Sequence, residues 1–466
     1  MGSPACRFGV LLFAPIVLAQ SPLGTAPDAA VIEVSPHGGR FSEPGLAVNP
    51  NNPNQIVVVF QGGAETQGSA TAAYSTDGGK TFQIAEGTKP SDWRVAGDVT
   101  SAFDNQGHAF LCYLAFDRLG TTSYWAHKAG RNGIFVRRSL DGGKSWEANA
   151  AAVKAFPTGH ESNLAFEDEP RIFADTDPRS PYAGHLYVGW VEWQLDKSVM
   201  LFSRSADDGV TWSPAIQISV HPGLPRDDNG SLGGYFQAVA EDGSLFVIWN
   251  DGNSILLTES RDGGKRFRRP RAVIQTGPPY FGDVPGVSRV EGFPEIASDA
   301  HRGKGRGRLY IAWSDYRNGD VDVFVASSAD RGRKWSAPVR VNDDVLHNGR
   351  DQFYQSLAVD AATGDVYVMF YDRREDARNR AVKMTLARSI DGGKTFSNYA
   401  LSNTPFDGRG AFLGDYTWVA ALRNHVYGAW TETVPAADET QANARPHTVI
   451  RFGSADFARS HNAAER

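Results

Sequence analysis

Short apolar runs, broken by Gly, Pro, Asp and Asn, recur along the whole chain. From Pro170 the chain reads "PRIFAD", a Pro/Gly turn, "HLYVGWVEW", "VMLFSRS", a tight turn and "AIQIS". From Gln355 it reads "QSLAVD", "DVYVMFYD", "VKMTLARS", a tight turn and "SNYALS". Apolar residues alternate with polar ones or stand together, and β-branched and aromatic types are frequent. Each stretch therefore predicts four short strands joined by turns. No long helical period lies between them.

The tight turn recurs six times as Ser-x-Asp-x-Gly-x-x-aromatic. It begins at Ser75, Ser139, Ser205, Ser260, Ser328 and Ser389, at intervals of 64, 66, 55, 68 and 61 residues. A near-constant period in this range signals stacked supersecondary units. The aspartates of the turns are Asp77, Asp141, Asp207, Asp262, Asp330 and Asp391. A structural role suits them. A carboxylate can accept bonds from nearby backbone N–H groups, glycine supplies the positive φ, and the aromatic can pack between units.

First strands begin near Glu43, Asp98, Asp168, Tyr235, Pro294, Tyr354 and Asp415, which gives seven units. The seventh has "DYTWVAAL", "HVYGAWTE" and "HTVIRFGSAD" but no fourth strand. "AVIEVSP", from Ala30, resembles "AIQISVHP" in the third unit and can supply it. The expected fold is all-β, a β-propeller of four-stranded antiparallel blades. Seven blades are expected, with the N-terminal strand closing the last, because an open ring exposes sheet edges. Six blades with a decorated end is the alternative. The propeller is expected over 30–456, after a signal peptide at 1–19 and a linker at 20–29, and before a tail at 457–466.

Composition narrows the class. The chain has 466 residues, 41% hydrophobic, with 47 basic against 53 acidic side chains and a net charge of −6. There is no basic footprint for nucleic acid. The apolar run Phe8–Ala19, "FGVLLFAPIVLA", follows Arg7 and is too short to span a bilayer, so it reads as a secretory signal. A secreted protein, extracellular or periplasmic and monomeric, is expected. Cys6 falls in the signal and Cys112 in a buried strand, which leaves no disulfide.

Propeller ligands sit over the channel, at first-strand entries and second-strand exits. The entries here carry Glu43, Asp98, Asp168 with Glu169, Tyr235, Glu291 with Glu295, Asp351, and Asp415 with Tyr416. The exits carry Gln61, Asp117, Glu192 with Trp193, Asp251, Asp315 with Arg317, Asp372 with Arg373 and Arg374, and Glu432. A rim of carboxylates suits glycan chemistry, in which one acid protonates the leaving oxygen and a second group attacks or acts as base. Trp193 could stack on a sugar. Arg317 and Arg373 could clamp an acidic sugar. Asp351, Asp372 and Asp415 complete the expected substrate-binding set. "SDYRN" and "YDRRE" equally fit a repeated structural ion pair. The loops "DTDPRS" and "RDDNGS" could hold a structural calcium, although Asx turns explain them as well. No other cofactor is expected.

Asp boxes on repeating four-stranded units resemble the sialidase (neuraminidase) superfamily and its secreted bacterial Asp-box (BNR) relatives. The resemblance covers nearly the whole chain. It implies a glycoside hydrolase of the exo-sialidase type acting on terminal acidic sugars. It also implies an Asp acid/base, a Tyr nucleophile activated by Glu, and an arginine triad. Tyr416, in "GDYTW" of the last unit, stands about where that nucleophile falls, and Glu291 and Asp98 complete the candidate catalytic set. The Phe/Tyr-Arg-Ile-Pro segment of sialidases is missing near the start, and "EPRIF" at Glu169 is the nearest match. Two alternatives remain. One is a non-catalytic glycan- or protein-binding propeller. The other is a polysaccharide lyase with His160, His185 or Tyr416 as base.

Overall fold

The computed structural model describes residues 23–458, apart from 64–67, 89–91, 162–163, 229, 278–283, 288, 302, 304, 403 and 435–446. The expected signal peptide, Cys6 and most of the C-terminal tail lie outside these residues. The named elements are all strands. No helix of the described residues is long and apolar enough to cross a membrane.

Four sheets each contain four antiparallel strands in chain order, and their first strands are Val95–Phe103, Phe166–Ala174, Leu232–Val239 and Glu295–Ser298. A fifth, starting at Gln352–Val359, adds the short strand Phe406–Asp407 against its third strand. The remaining strands form an eight-stranded sheet. One half runs Arg40–Val48, Ile56–Gly63, Ser69–Ser75 and Gln83–Ile84. The other runs Trp418–Leu422, His425–Val434 and His447–Asp456, with Ala30–Glu33 antiparallel to the last of these. A single parallel pair, Arg40 with Thr448, joins the halves.

First strands touch in succession. Arg40–Val48 meets Val95–Phe103, and contact passes in chain order through the first strands at 166, 232, 295 and 352 to Trp418–Leu422. Trp418–Leu422 in turn touches Arg40–Val48. Between sheets the core is aromatic and aliphatic. Trp190, Trp249, Trp313 and Trp430 each lie in a second strand and are fully buried. Each removes on the order of 4 kcal/mol worth of apolar surface from water before entropy is counted. Cys112 is buried and free, and burial pushes its thiol pKa up.

The six repeated turns share one bonding scheme. In the last, Asp391 Oδ1 accepts from Lys394 N and Thr395 N at 3.0 Å each, and Asp391 Oδ2 accepts from Thr395 Oγ1. Ser389 Oγ donates to Asp391 and accepts from Gly393 N at 2.9 Å. Such bonds contribute about 1 kcal/mol each, net of lost water. The aromatic at the end of the turn packs on the neighbouring unit, as Phe82 does on Phe452 in the other half of the eight-stranded sheet and Phe267 on Phe202 in the preceding sheet. Gly79 must be glycine. Its φ is 86°, and a Cβ there would lie 2.4 Å from the Phe452 ring. All six turn aspartates serve the backbone in this way.

Both ends of the domain are more tightly held than expected. The described part of the 20–29 segment is not a free linker: Ala26 is buried and its N–H bonds Ala400 O at 2.9 Å. Phe457, expected to open the tail, is fully buried against Tyr367 and Tyr399. An apolar residue at each of these positions has a crevice of the fifth sheet's aromatic packing to fill.

Candidate active site

Five first strands share a local irregularity. Their pairing with the second strand slips at Ser42/Gly45, Gly97/Thr100, Asp168/Arg171, Gly233/Phe236 and Phe353/Ser356. At each slip the second residue adopts left-handed φ: Glu43 (54°), Asp98 (48°), Glu169 (52°), Gly234 (69°) and Tyr354 (52°). A bulge re-aims the side chain it carries. Here it delivers carboxyl groups from three successive sheets to one place. Neighbouring bulges are also linked. Glu169 N donates to Asp98 Oδ2 at 3.2 Å, and Gly234 N to Glu169 Oε2 at 3.0 Å.

The carboxyls open on a cleft of about 330 Å³, which also takes in Asp168, Asp227, Asp415 and Arg289. Apolar side chains also line it, among them Phe116, Leu119, Trp125, Phe166 and Phe412. Arg289 gathers the acids on one side. It forks onto Asp415, with Nε 2.9 Å from Oδ1 and Nη2 on Oδ2, and it meets Asp227 and Glu291 at 3.1 Å each. Arg171 lies behind the cluster, its guanidinium 3.6 Å from the Tyr416 ring centre.

Burial and crowding raise the proton affinity of five of these acids. Burial, then Asp98 and Asp415, push Glu43 well above its usual range. Burial, then Asp98 and Glu169, do the same for Asp168. Glu169 rises to about 8, chiefly by burial and then by Asp227. Asp227 rises to about 6 by burial, against the pull of Arg289. Asp415 is also raised by burial, opposed by Arg289. Like charges at close range cannot all ionise.

This arrangement predicts a pH dependence of stability. Glu169 has a folded pKa near 8, above the ordinary 4.5, so the folded chain holds a proton that the unfolded chain has lost between those values. Its contribution is complete below pH 4.5 and disappears as pH rises through 8. The melting temperature should therefore fall between about pH 5 and pH 8, and Glu169→Gln should flatten the slope. An unchanged slope in the variant would mean that Glu169 is ionised in the fold.

The structure brings some expected residues together and separates others. Asp98 and Asp415 line the cleft. Glu291 and Tyr416 line a neighbouring cavity of about 10 Å³, which Asp415 and Arg171 share. The Tyr416 hydroxyl points to Val99 O at 3.5 Å, and burial, then Glu43, push its pKa well above the ordinary value. Trp193 has no exposed surface on which a sugar could stack; its indole donates to Asp168 Oδ2 at 2.9 Å and holds that carboxyl in place. Arg317 and Arg373 do not clamp the cleft. Arg317 Nε pairs with Asp315 at 2.8 Å and its guanidinium lies over Phe324. Arg373 is buried and donates to Pro285 O and Asn379 O at 2.9 Å each. Asp351 accepts from Val321 N and Asn379 Nδ2, and Asp372 from Arg374 and Thr385. At these strand ends, unpaired backbone groups and the adjacent Arg claim the side chains.

Arg289 and Asp227 were not among the expected site residues. Asp227 belongs to the "RDDNGS" loop, read above only as a calcium or Asx-turn loop, and Arg289 lies two residues before Glu291, so each had a signal nearby but none of its own. In "DTDPRS", Asp175 accepts from Ser180 Oγ and Asp177 pairs with Arg179. No histidine lines the cleft among the described residues. His160 is exposed and His185 packs between Tyr182 and Tyr187.

No family model matches the chain. A curated sialidase of Bacteroides fragilis (strain YCH46) is 26% identical over 198 residues, 39% of this chain and 35% of that protein. The chain thus spans about a third of the length of the curated relative that it matches. Among solved structures, an ulvan lyase bound to a GlcA–Rha3S glycan superposes with a TM-score of 0.51 at 11% identity, over 90% of this chain and 95% of that one. An α-L-arabinofuranosidase of Fusarium graminearum with arabinobiose gives 0.50 at 13%, over 77% and 97%. The chain is similar to the sialidase superfamily, and its fold is that of carbohydrate-active proteins.

Proposed function

We propose that the protein is a secreted glycoside hydrolase on a seven-bladed propeller, whose ring the Ala30–Glu33 strand closes. The carrying observation is the cleft that carboxyls of several sheets line together, some pushed toward higher proton affinity by burial and one, Asp415, gripped by Arg289. Two carboxyls in unlike surroundings supply the acid and the second group that glycoside hydrolysis requires. Asp98 stands against Glu43, which raises the proton affinity of Glu43, and it opens on the cleft. It is assigned as the proton donor to the leaving oxygen, with Glu43 as its proton-sharing neighbour. Asp415, oriented by the Arg289 fork, is assigned as the second carboxyl. Tyr416 and Glu291, of the sialidase-like reading, line the small neighbouring cavity instead. Secretion rests on the Phe8–Ala19 segment.

The direct test is hydrolysis of a broad panel of fluorogenic glycosides, acidic, neutral and amino, by the whole protein. Release from at least one class is expected. Binding of glycans on an array with no release from any would leave a non-catalytic binding propeller. An unsaturated, ultraviolet-absorbing product from a uronate polymer would indicate a lyase.

A further inference from the structure

We propose that the cleft receives a sugar carrying a protonated amine, with the ammonium seated among Glu43, Asp98 and Asp168. This rests on the glycoside hydrolase reading and names its substrate class. Six carboxyl groups line the cleft against one guanidinium, that of Arg289. Arg289 is fully engaged, with its fork on Asp415 and further contacts to Asp227 and Glu291. Among the described residues, no free cation faces the cleft, so the carboxylate of a sialic or uronic acid would meet carboxyl groups and no free positive charge.

A second observation points to what belongs there. Glu43 is 2% exposed, and its Oε2 has no hydrogen-bond donor. Its close neighbour is another carboxyl, Asp98. Asp168 receives one donor, the Trp193 indole. As carboxylates the three are rich in acceptors and poor in donors, and a cation seated among them favours that ionised form over the protonated one that crowding favours without it. A buried acceptor without a donor is costly. A sugar hydroxyl brings one donor, whereas an ammonium brings three and a positive charge. Phe116, Leu119 and Trp125 line the same cleft and suit the C–H face of a pyranose ring, so the cleft offers partners to both charge and ring.

The test is calorimetric titration of the whole protein near pH 6 with glucosamine trimer, its N-acetylated counterpart chitotriose, trigalacturonate and calcium chloride. The amine should bind at least about tenfold more tightly than chitotriose, and trigalacturonate should not bind measurably. Glu43→Gln should remove the preference for the amine without weakening chitotriose. Asp168→Asn provides the same reading should Glu43→Gln not fold. Equal binding of amine and acetamide, tighter binding of the uronate, or binding of calcium alone would each overturn the proposal. The two readings fail separately. Hydrolysis of an acidic glycoside would sink the amine and leave the enzyme, while amine binding without hydrolysis of any glycoside would do the reverse.

Discussion

Asp98→Asn should lower hydrolytic turnover of a neutral glycoside about 10³-fold and leave the binding of that glycoside within a few-fold. The substitution keeps the shape of the side chain and an oxygen to accept the Glu169 N–H, now at 3.2 Å from Asp98 Oδ2. Asparagine also tolerates the left-handed backbone at this position, where φ is 48°. The fold should therefore survive, and the loss should fall on proton transfer. Tyr416→Phe is the necessary companion. Its hydroxyl lies 3.5 Å from Val99 O, outside the cleft, so turnover should stay within about tenfold of the parent. Single-turnover and steady-state rates on the same fluorogenic glycoside check both. If Tyr416→Phe proves the dead enzyme and Asp98→Asn the active one, the chemistry is that of a tyrosine nucleophile and the carboxyl assignment is wrong.

Deleting residues 30–36 should produce the largest loss of stability of any surface change. The segment seats Val34 in the core at 6% exposure and pairs Ala30–Glu33 with His447–Asp456. Ser35 Oγ accepts Ile450 N at 2.9 Å, Val34 N donates to Ile450 O at 2.9 Å, and Glu33 pairs with Arg451 at 3.1 Å. Losing Val34 alone costs about 2 kcal/mol of burial, and each backbone bond about 1 kcal/mol more. The bare edge then invites pairing between molecules. A fall of more than about 10 °C in melting temperature, or insolubility, is expected from losses of that size. A truncated protein that melts with the parent would show that this strand holds nothing together.

The strands and turns were legible because their signals are local. Alternation, turn glycines and the Ser-x-Asp grammar each act within a few residues. Most acids of the cleft were legible. Glu43, Asp98, Asp168, Glu169 and Asp415 stand at first-strand entries, where a channel reading finds them, and only Asp227 does not. Their convergence depends on a bulge, and a bulge leaves little trace in sequence beyond Pro44 and Pro170 following Glu43 and Glu169. Arg317 and Arg373 misled for physical reasons. In Asp-x-Arg the guanidinium reaches its own strand-end carboxylate without leaving the sheet, as Arg317 does with Asp315, whereas Arg373 is claimed by the carbonyls of Pro285 and Asn379. Trp193 misled because alternation says that a side chain leaves the sheet plane but not whether solvent or a neighbouring sheet awaits it. Asp227 and Arg289 lie on connections between strands, where no period exists to read.

Glycine occupies the bulge position of one sheet, Gly234, while Glu43, Asp98 and Glu169 hold the same backbone shape in three others. For a residue with a Cβ, that shape is worse by about 1–2 kcal/mol than for glycine. These three also crowd like charges. Natural variation or laboratory screening for thermal tolerance alone would thus drift toward glycine at 43, 98 and 169. Its winners would be sturdy and inert. Carboxylates persisting at all three positions across divergent descendants would mark a lineage still selected for what the cleft does.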